Sequence, residues 1–451
     1  MIAEQSLAID PQACDPSTAH AVLGSPTSAR RLSLKTNFSW TFFGNLTYAA
    51  CQWGMLSALA KLGTPEMVGQ YALGLAITAP VVMLSNLQLR GVLATDANEE
   101  YRLSDYLTLR VITSAVALLA VVILVSISAY RQSTAFVIFG VAVAKSFESI
   151  SDITYGYLQH RERMDRIAQS MMIRGLLGMI ALWTGLVLTG SVLVGVVGMA
   201  AVWGAILVFF DLRGLRRDAP ELPPIAALLH PATMRWQSVW RLAVVAAPLG
   251  VVMMLVSLNV NLPRYAIQHY GGERSLGVFA AVAYTMVAGT TIIGALAQSA
   301  TPRLAQYYAA GQVKRFWSLM GKLLLVGLAL GIGGISVALT GGAYMLRILF
   351  RPEYASSANV LSWMMGAAAI SYLASFLGFG LTAARRFNVQ VGLYGLVSAV
   401  VAVFSFALVP RYGLVGGAWA MAFGAGVQLA AAAVLLNGAM RACVSLADRG
   451  R

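Results

Sequence analysis

Apolar runs of about twenty residues recur along this chain from near residue 38 to near residue 437, separated by short polar or basic segments. At about 1.5 Å of rise per residue, twenty helical residues cover a hydrocarbon core of roughly 30 Å. Hydrocarbon offers no water to a free N–H or C=O, so each run must close its own backbone hydrogen bonds as an α-helix. The runs fall at roughly 38–60, 68–89, 107–129, 135–157, 168–188, 192–211, 241–262, 275–299, 319–342, 358–381, 387–408 and 415–437, which predicts twelve transmembrane helices. Composition agrees: 58% hydrophobic and 11% charged residues over 451 positions, with a mean hydropathy of +0.72, exclude an ordinary soluble domain.

The net charge of +14 raises the question of nucleic acid, but the basic residues are scattered through short loops with no nucleic-acid-binding motif around them. They do assign sidedness. Lys61, Arg131, Arg264, Arg274, Arg347, Arg351 and Arg411 fall on one side; Lys145 and Arg174 lie well inside spans; all the rest share the side of the two termini. The positive-inside bias then predicts that both termini are cytoplasmic. Cys14, Cys51 and Cys443 form no plausible extracytoplasmic pair, and no metal-ligand spacing occurs. Residues 1–36, rich in Ser, Ala, Pro and Thr, read as a disordered cytoplasmic tail without the pattern of a cleaved signal peptide. Residues 438–451 read as a second cytoplasmic tail.

The longest connection, residues 212–240, carries Pro220, Pro223, Pro224 and Pro231 among arginines and reads as a cytoplasmic linker between two lobes of six helices, 37–211 and 241–437. Two pairs of anchors suggest that the halves are copies. Gly69-Gln-Tyr71-Ala72 opens the second helix and Gly277-Val-Phe279-Ala280 the eighth; Gly195-Val-Val-Gly198 enters the sixth and Gly413-Leu-Val-Gly416 the twelfth. Six helices per copy give both copies one orientation, with a pseudo-axis along the membrane normal. An all-α, two-lobed transporter is the architecture this predicts.

Polar groups at membrane depth are costly unless they face protein or water, so their placement is informative. Around the central span, Asn259, Asn261 and Arg264 close one apolar run, and Gln298, Ser299, Pro302 and Arg303 close the next. In the first helix Thr41, Asn45, Tyr48 and Gln52 share one face, either a cavity wall or a packing contact between helices. Pro80 predicts a kink in the second helix, and Asn86 and Arg90 follow toward the cytoplasm. Arg90 either snorkels to the interface or serves a ligand. Lys145, Glu148 and Asp152 share a face of the fourth helix, and by depth Asp152 is expected to pair with Arg174. Glu148 and Asp152 read either as ion-coupling residues for a proton or sodium gradient or as partners in structural ion pairs. Neither a P-loop nor another phosphate cradle is present, which argues against direct use of ATP and against any bound cofactor.

Several motifs carry a resemblance. The runs Asn261-Leu-Pro263-Arg264-Tyr265-Ala-Ile267, Gly271-Gly272, Leu276-Gly277-Val-Phe279 and Gln298-Ser299-Ala-Thr-Pro302-Arg303-Leu304-Ala305 are similar to those of the bacterial polysaccharide-unit flippases, within the multidrug/oligosaccharidyl-lipid/polysaccharide exporter superfamily. Leu349-Phe350-Arg351-Pro-Glu353-Tyr354-Ala355 resembles that family's outer loop, departing from it at Arg351, where a small residue is usual. Pro410-Arg-Tyr-Gly413-Leu-Val-Gly416-Gly417-Ala418 resembles its approach to the twelfth helix, and the likeness extends over residues 37–437.

The resemblance implies a V-shaped pair of six-helix lobes that moves polyprenyl-diphosphate-linked oligosaccharides between leaflets by alternating access, for exopolysaccharide, capsule or O-antigen assembly. Membrane lipids, a polysaccharide polymerase and chain-length machinery would be its partners. Arg90, Lys145, Arg174 and Arg264 are then the candidates for the diphosphate, which favours Arg, and Asn45, Gln52 and Asn259 those for sugar hydroxyls. A multidrug or small-cation exporter of the same superfamily would share the architecture but favour an acidic, aromatic pocket. A membrane-embedded polymerase or transferase would be an enzyme and would need a large catalytic loop, whereas the longest outer loop here is only about Ala343 to Ser357.

Overall fold

The computed structural model describes residues 34–96, 100–128, 130–222, 227, 234–384 and 387–449, and among them every regular element is a helix. In chain order these are α1 (Leu34–Leu62), α2 (Pro65–Asn86), α3 (Leu89–Thr95), α4 (Leu103–Ile127), α5 (Gln132–His160), α6 (Met164–Thr189) and α7 (Val192–Ile206). A π-helical turn, Leu207–Leu212, leads into α8 (Arg213–Asp218). Then come α9 (Trp236–Tyr284), α10 (Val287–Ala309), α11 (Val313–Leu349), α12 (Ala358–Ala383) and α13 (Phe387–Arg449).

All twelve apolar runs lie on helix, while nine of the described helices are long and apolar enough to cross a membrane. The numbers differ by three: α13 carries two of the runs, and both α1 and the run at 275–299, shared between the end of α9 and α10, fall outside the nine. Both α9 and α13 are two helices joined at one glycine, Gly272 (φ 73°) and Gly413 (φ 56°), a backbone region that glycine enters without steric penalty. The polar residues of α1 and α10, among them Asn45, Gln52, Gln298 and Ser299, dilute their hydropathy and keep both out of the nine.

Lipid tails are as apolar as leucine, so helices in a membrane associate through close packing at small residues. Here Gly44 lies on Ala168 and Gly175 on Cys51 between α1 and α6, Gly185 on Gly195 between α6 and α7, and Gly331 on Ala369 between α11 and α12. One lobe thus comprises α1 to α8, and a second comprises α9 to α13, in which α9 packs chiefly on α13 and α10 packs on α11 and α12. Cys51 is free and buried. The first turn of α2 shows how the sequence sets an element: Thr64 caps it by accepting from the Met67 N–H at 3.4 Å, Pro65 needs no donor there, and Glu66 meets the positive end of the helix dipole.

One face of the protein, here called proximal, collects the start of α1, the ends of α2 and α5, the start of α6, and α8: Asn37 meets Met164, Gly156 lies on Arg90, and Arg166 pairs with Asp218. The opposite, distal face holds Lys61, Pro65, Thr134, Glu273 and Glu353. The lobes meet along α2 and α9, from Leu84 against Gly250 near the proximal face, through the Tyr265 hydroxyl donating to the Ala76 carbonyl, to Gly69 and Pro65 against Glu273 and Gly277 at the distal one. The first pair of glycine anchors, widely separated in sequence, therefore packs face to face between the lobes. The second pair stays within its own lobe, Gly195 on Leu182 and Gly416 on Leu408.

Pro80 is accommodated inside α2; the chain turns instead at Leu87 and Gln88, whose φ angles of 50° and 51° are unusual for residues other than glycine. That turn puts Arg90 on the separate short helix α3. Most of the tail read at 1–36, with Cys14, lies outside the described residues, and so do 223–226 and 228–233 of the linker. The linker's beginning and end are helical, and α13 continues through the segment read as the second tail as far as Arg449.

Candidate functional site

Arg90, Lys145, Glu148, Asp152 and Arg174 border a cavity of about 570 Å³. Tyr48 of α1 lines it, together with Ala79, Met83 and Asn86 of α2 and Arg90 of α3. Lys145, Glu148, Ser149, Asp152, Tyr155 and Gln159 of α5 face it, as do Met171 and Arg174 of α6. Met253 of α9 is the single lining residue from the second lobe, so the cavity belongs almost wholly to the first. A polar hollow of about 550 Å³ on the proximal face, bordered by Tyr101, Arg102, Arg161, Glu221 and Arg235, lies between the linker and the first lobe and holds none of these groups.

Each cation of the interior cavity has a carboxylate. Arg90 donates to Asp152 at 3.2 Å and to the Gln159 side chain at 3.1 Å, and lies 5.6 Å from the Tyr155 ring centroid. Lys145 pairs with Glu148 at 2.7 Å and sits over the Trp203 ring, while the Tyr48 hydroxyl donates to the other oxygen of Glu148. Both cations remain reachable, with side chains 34% and 26% exposed. Arg174 differs, being 1% exposed and bonded to Asp211 at 2.7 Å. Ser151 and Ser170 each donate to Asp211 at 2.6 Å, Arg174 donates to Ser151 as well, and the guanidinium lies against the rings of Tyr155 and Trp203. A buried ion pair of this kind needs its remaining lone pairs and protons satisfied; the serines do that for the Asp211 carboxylate, while the Arg174 Nε has no partner among the described residues.

The pairing expected between Asp152 and Arg174 is therefore corrected. Asp152 faces Arg90 and Arg110, the latter 0% exposed and in ion-pair range at 3.8 Å without a hydrogen bond to it, its own bond going to Asn86. Arg174 takes Asp211 because the π-helical turn carries that residue inward between α5 and α6. Neither Asp211 nor Arg110 stands out in the sequence as part of the site: one closes an apolar run, and the other looks like an interfacial arginine. An aspartate inside Leu207-Val-Phe-Phe-Asp211-Leu was the available signal, since it needs a partner at that depth.

Of the sequence candidates, Arg90, Lys145, Glu148, Asp152 and Arg174 are brought together; Asn45, Gln52, Asn259 and Arg264 do not line this cavity. Asn45 is exposed on α1, and the Gln52 amide nitrogen is buried without a partner among the described residues. Asn259 accepts from Ser398 at 2.6 Å and Arg264 donates to Asn261 at 2.9 Å, both within the second lobe. The polar face of α1 divides accordingly, with Tyr48 at the cavity and Thr41 bonded back to the Asn37 carbonyl.

The chain is 27% identical over 384 residues, covering 85% of its length and 94% of the relative's, to a protein of Staphylococcus aureus named capsular polysaccharide biosynthesis protein CapF. No protein-family profile matches it. Among solved structures it is similar to the lipid II flippase MurJ in an inward closed conformation, at TM-score 0.66 and 12% identity over 89% of this chain and 87% of that one. An inward-facing multidrug resistance transporter of the MATE family in the MOP superfamily gives TM-score 0.62 and 13% identity over 92% and 96% of the two chains. The Vibrio cholerae MATE transporter VcmN gives 0.60 and 12% over 90% and 97%. The chain is thus a multi-pass membrane protein with the fold of the MOP-superfamily transporters and flippases, and its kinship with the capsular polysaccharide biosynthesis protein supports the polysaccharide-unit flippase family that its motifs resemble.

Proposed function

We propose that this protein flips polyprenyl-diphosphate-linked oligosaccharide repeat units from the cytoplasmic to the outer leaflet of the bacterial cytoplasmic membrane by alternating access. The product would feed exopolysaccharide, capsule or O-antigen assembly, alongside a polysaccharide polymerase and chain-length machinery. The observation that carries the reading is the pair of reachable cations, Arg90 and Lys145, in one cavity at membrane depth. A diphosphate gains most from such groups where little water competes. The bias of basic loops assigns the proximal face, and with it Arg90, to the cytoplasm. The relative's role in making a capsular polysaccharide supports a glycan substrate. A small-cation exporter is less well served, because Glu148 and Asp152 are both already tied to cations.

Proteoliposomes loaded with a fluorescent polyprenyl-diphosphate-linked oligosaccharide test this through the fraction that a membrane-impermeant quencher reaches with time. The wild-type protein is expected to speed exchange between leaflets. Arg90→Ala and Lys145→Ala are each expected to slow it by about 10- to 100-fold, the loss of one hydrogen bond to a charged group at about 1.5–3 kcal/mol. Exchange no faster than in protein-free vesicles would overturn the reading.

A further inference from the structure

We infer that Glu148, and not Asp152, takes up one proton each time the cavity binds a lipid diphosphate; the inference rests on the flippase reading above. It follows from the charges that the cavity holds when empty. Among the described residues, four cations (Arg90, Arg110, Lys145 and Arg174) face three carboxylates (Glu148, Asp152 and Asp211), which leaves a single positive charge. A diphosphate diester brings two negative charges and no titrating proton near neutral pH. Bound without compensation it would leave one excess negative charge in a low-dielectric site, where net charge is most costly. One added proton brings the loaded cavity to neutrality.

The geometry selects the carboxylate. Substrate phosphate competes for the cations that are reachable, Arg90 and Lys145, each already occupied by a carboxylate in the empty protein. When Arg90 turns to phosphate, Asp152 keeps Arg110, which is wholly buried and has no other acidic partner among the described residues; a proton on Asp152 would strand that arginine. Asp152 therefore stays ionised.

Glu148 has no such second cation of its own. Facing it are Tyr48 of α1, Tyr71 of α2, Lys145 and Tyr155 of α5, and Arg174 of α6. Arg174 is neutralised by Asp211, and the tyrosines are neutral donors. Once the Lys145 ammonium leaves, keeping its three protons, the oxygen that it held takes a proton from the buffered solvent, an O–H bond forming as the buffer acid gives up its proton, while Tyr48 continues to donate to the other oxygen. Release of the lipid reverses the step. The hydrogen-bond partners of Glu148 in the empty cavity are both donors, a setting for a carboxylate that switches between ion and acid rather than for a hard cation that needs several oxygen ligands.

Calorimetric titration of the whole protein in nanodiscs tests this, with polyprenyl-diphosphate-linked N-acetylglucosamine as the probe, in two buffers of different ionisation enthalpy at pH 7. Wild-type protein is expected to take up about one proton per lipid bound, with affinity falling up to about tenfold per pH unit as pH rises. Glu148→Gln, which resembles the protonated state, is expected to bind at least as tightly with no proton uptake. The double change Arg110→Gln with Asp152→Asn removes one charge of each sign and is expected to retain the single proton. Binding without proton uptake in the wild type overturns the inference and leaves the flippase reading intact. Proton uptake that survives in Glu148→Gln, or that is lost only in the double variant, also overturns it, as does affinity that collapses when choline replaces sodium with no proton taken up. Failure of the wild-type protein to bind the lipid at all removes the flippase reading and the inference with it.

Discussion

Asp211→Ala is expected to cost the first lobe about 3–5 kcal/mol, the range for breaking a buried ion pair by deleting one partner. Arg174 is 1% exposed, and a guanidinium does not shed its proton, so the charge stays almost wholly shielded from water. Ser151 and Ser170 lose their acceptor in the same step, leaving two more buried polar groups to find partners. The readout is thermal unfolding of purified protein in detergent, with a midpoint expected to fall by on the order of 5–10 °C together with the yield of monodisperse protein. Asp211→Asn, which keeps an acceptor but not the charge, is expected to fall between. Removing both charges, with Arg174→Met and Asp211→Leu together, is expected to recover most of the loss, because two apolar side chains repack where one stranded cation cannot. A midpoint unchanged in Asp211→Ala would mean that another group neutralises Arg174, and the ion pair would lose its structural role.

That pair also marks where the fold was legible from the residues and where it was not. Span positions follow from apolar length alone, because a backbone in lipid has one economical solution, and all twelve runs lie on helix. The shared face of Lys145, Glu148 and Asp152 follows equally from helical geometry, and the three do line one cavity. Which cation meets which carboxylate does not follow, since a depth argument places Arg90, Arg110 and Arg174 all within reach of α5. Two irregularities decide it: the left-handed pair Leu87 and Gln88, which swings Arg90 onto α3, and the π-helical turn, which rotates Asp211 inward. Neither carries a glycine or proline to announce it. Asn259 and Arg264 illustrate the converse case, in which polar residues at membrane depth meet other polar groups inside their own lobe: Ser398 donates to Asn259, and Arg264 donates to Asn261 although its Nε has no partner among the described residues. The two Gly-x-aromatic-Ala anchors were visible as a repeat, but nothing local revealed that the copies pack against each other.

Gly69→Leu and Gly277→Leu should act on that contact and not on the cavity. A Cβ on Gly69 would overlap the Glu273 carbonyl oxygen, and one on Gly277 would overlap the Pro65 carbonyl oxygen; both obstacles are backbone, with no flexible side chain to give way. Relief requires α2 and α9 to separate at the distal face. Around the contact, Glu273 accepts from Gln70 and Thr134, and Arg274 reaches Glu66 at 3.4 Å and Glu353 at 3.5 Å, so parting the helices also breaks this polar border. Overpacking costs about 1–3 kcal/mol in cores that relax, and a contact between backbones relaxes least. Applied to two conformations that differ by a few kcal/mol, a shift of about 3 kcal/mol changes their ratio by more than 100-fold, enough to depopulate the closed distal face. A cysteine pair, Glu66→Cys with Arg274→Cys, in a background whose Cys14, Cys51 and Cys443 are replaced by alanine, reports the change. Oxidation is expected to link the pair rapidly when both glycines are present and at least tenfold more slowly with either leucine, while leaflet exchange slows by a similar factor because the protein can no longer close that face. Equal cross-linking rates with and without Gly69→Leu would show that the lobes tolerate a side chain there, and the glycines would then mark only a shared ancestry of the two halves.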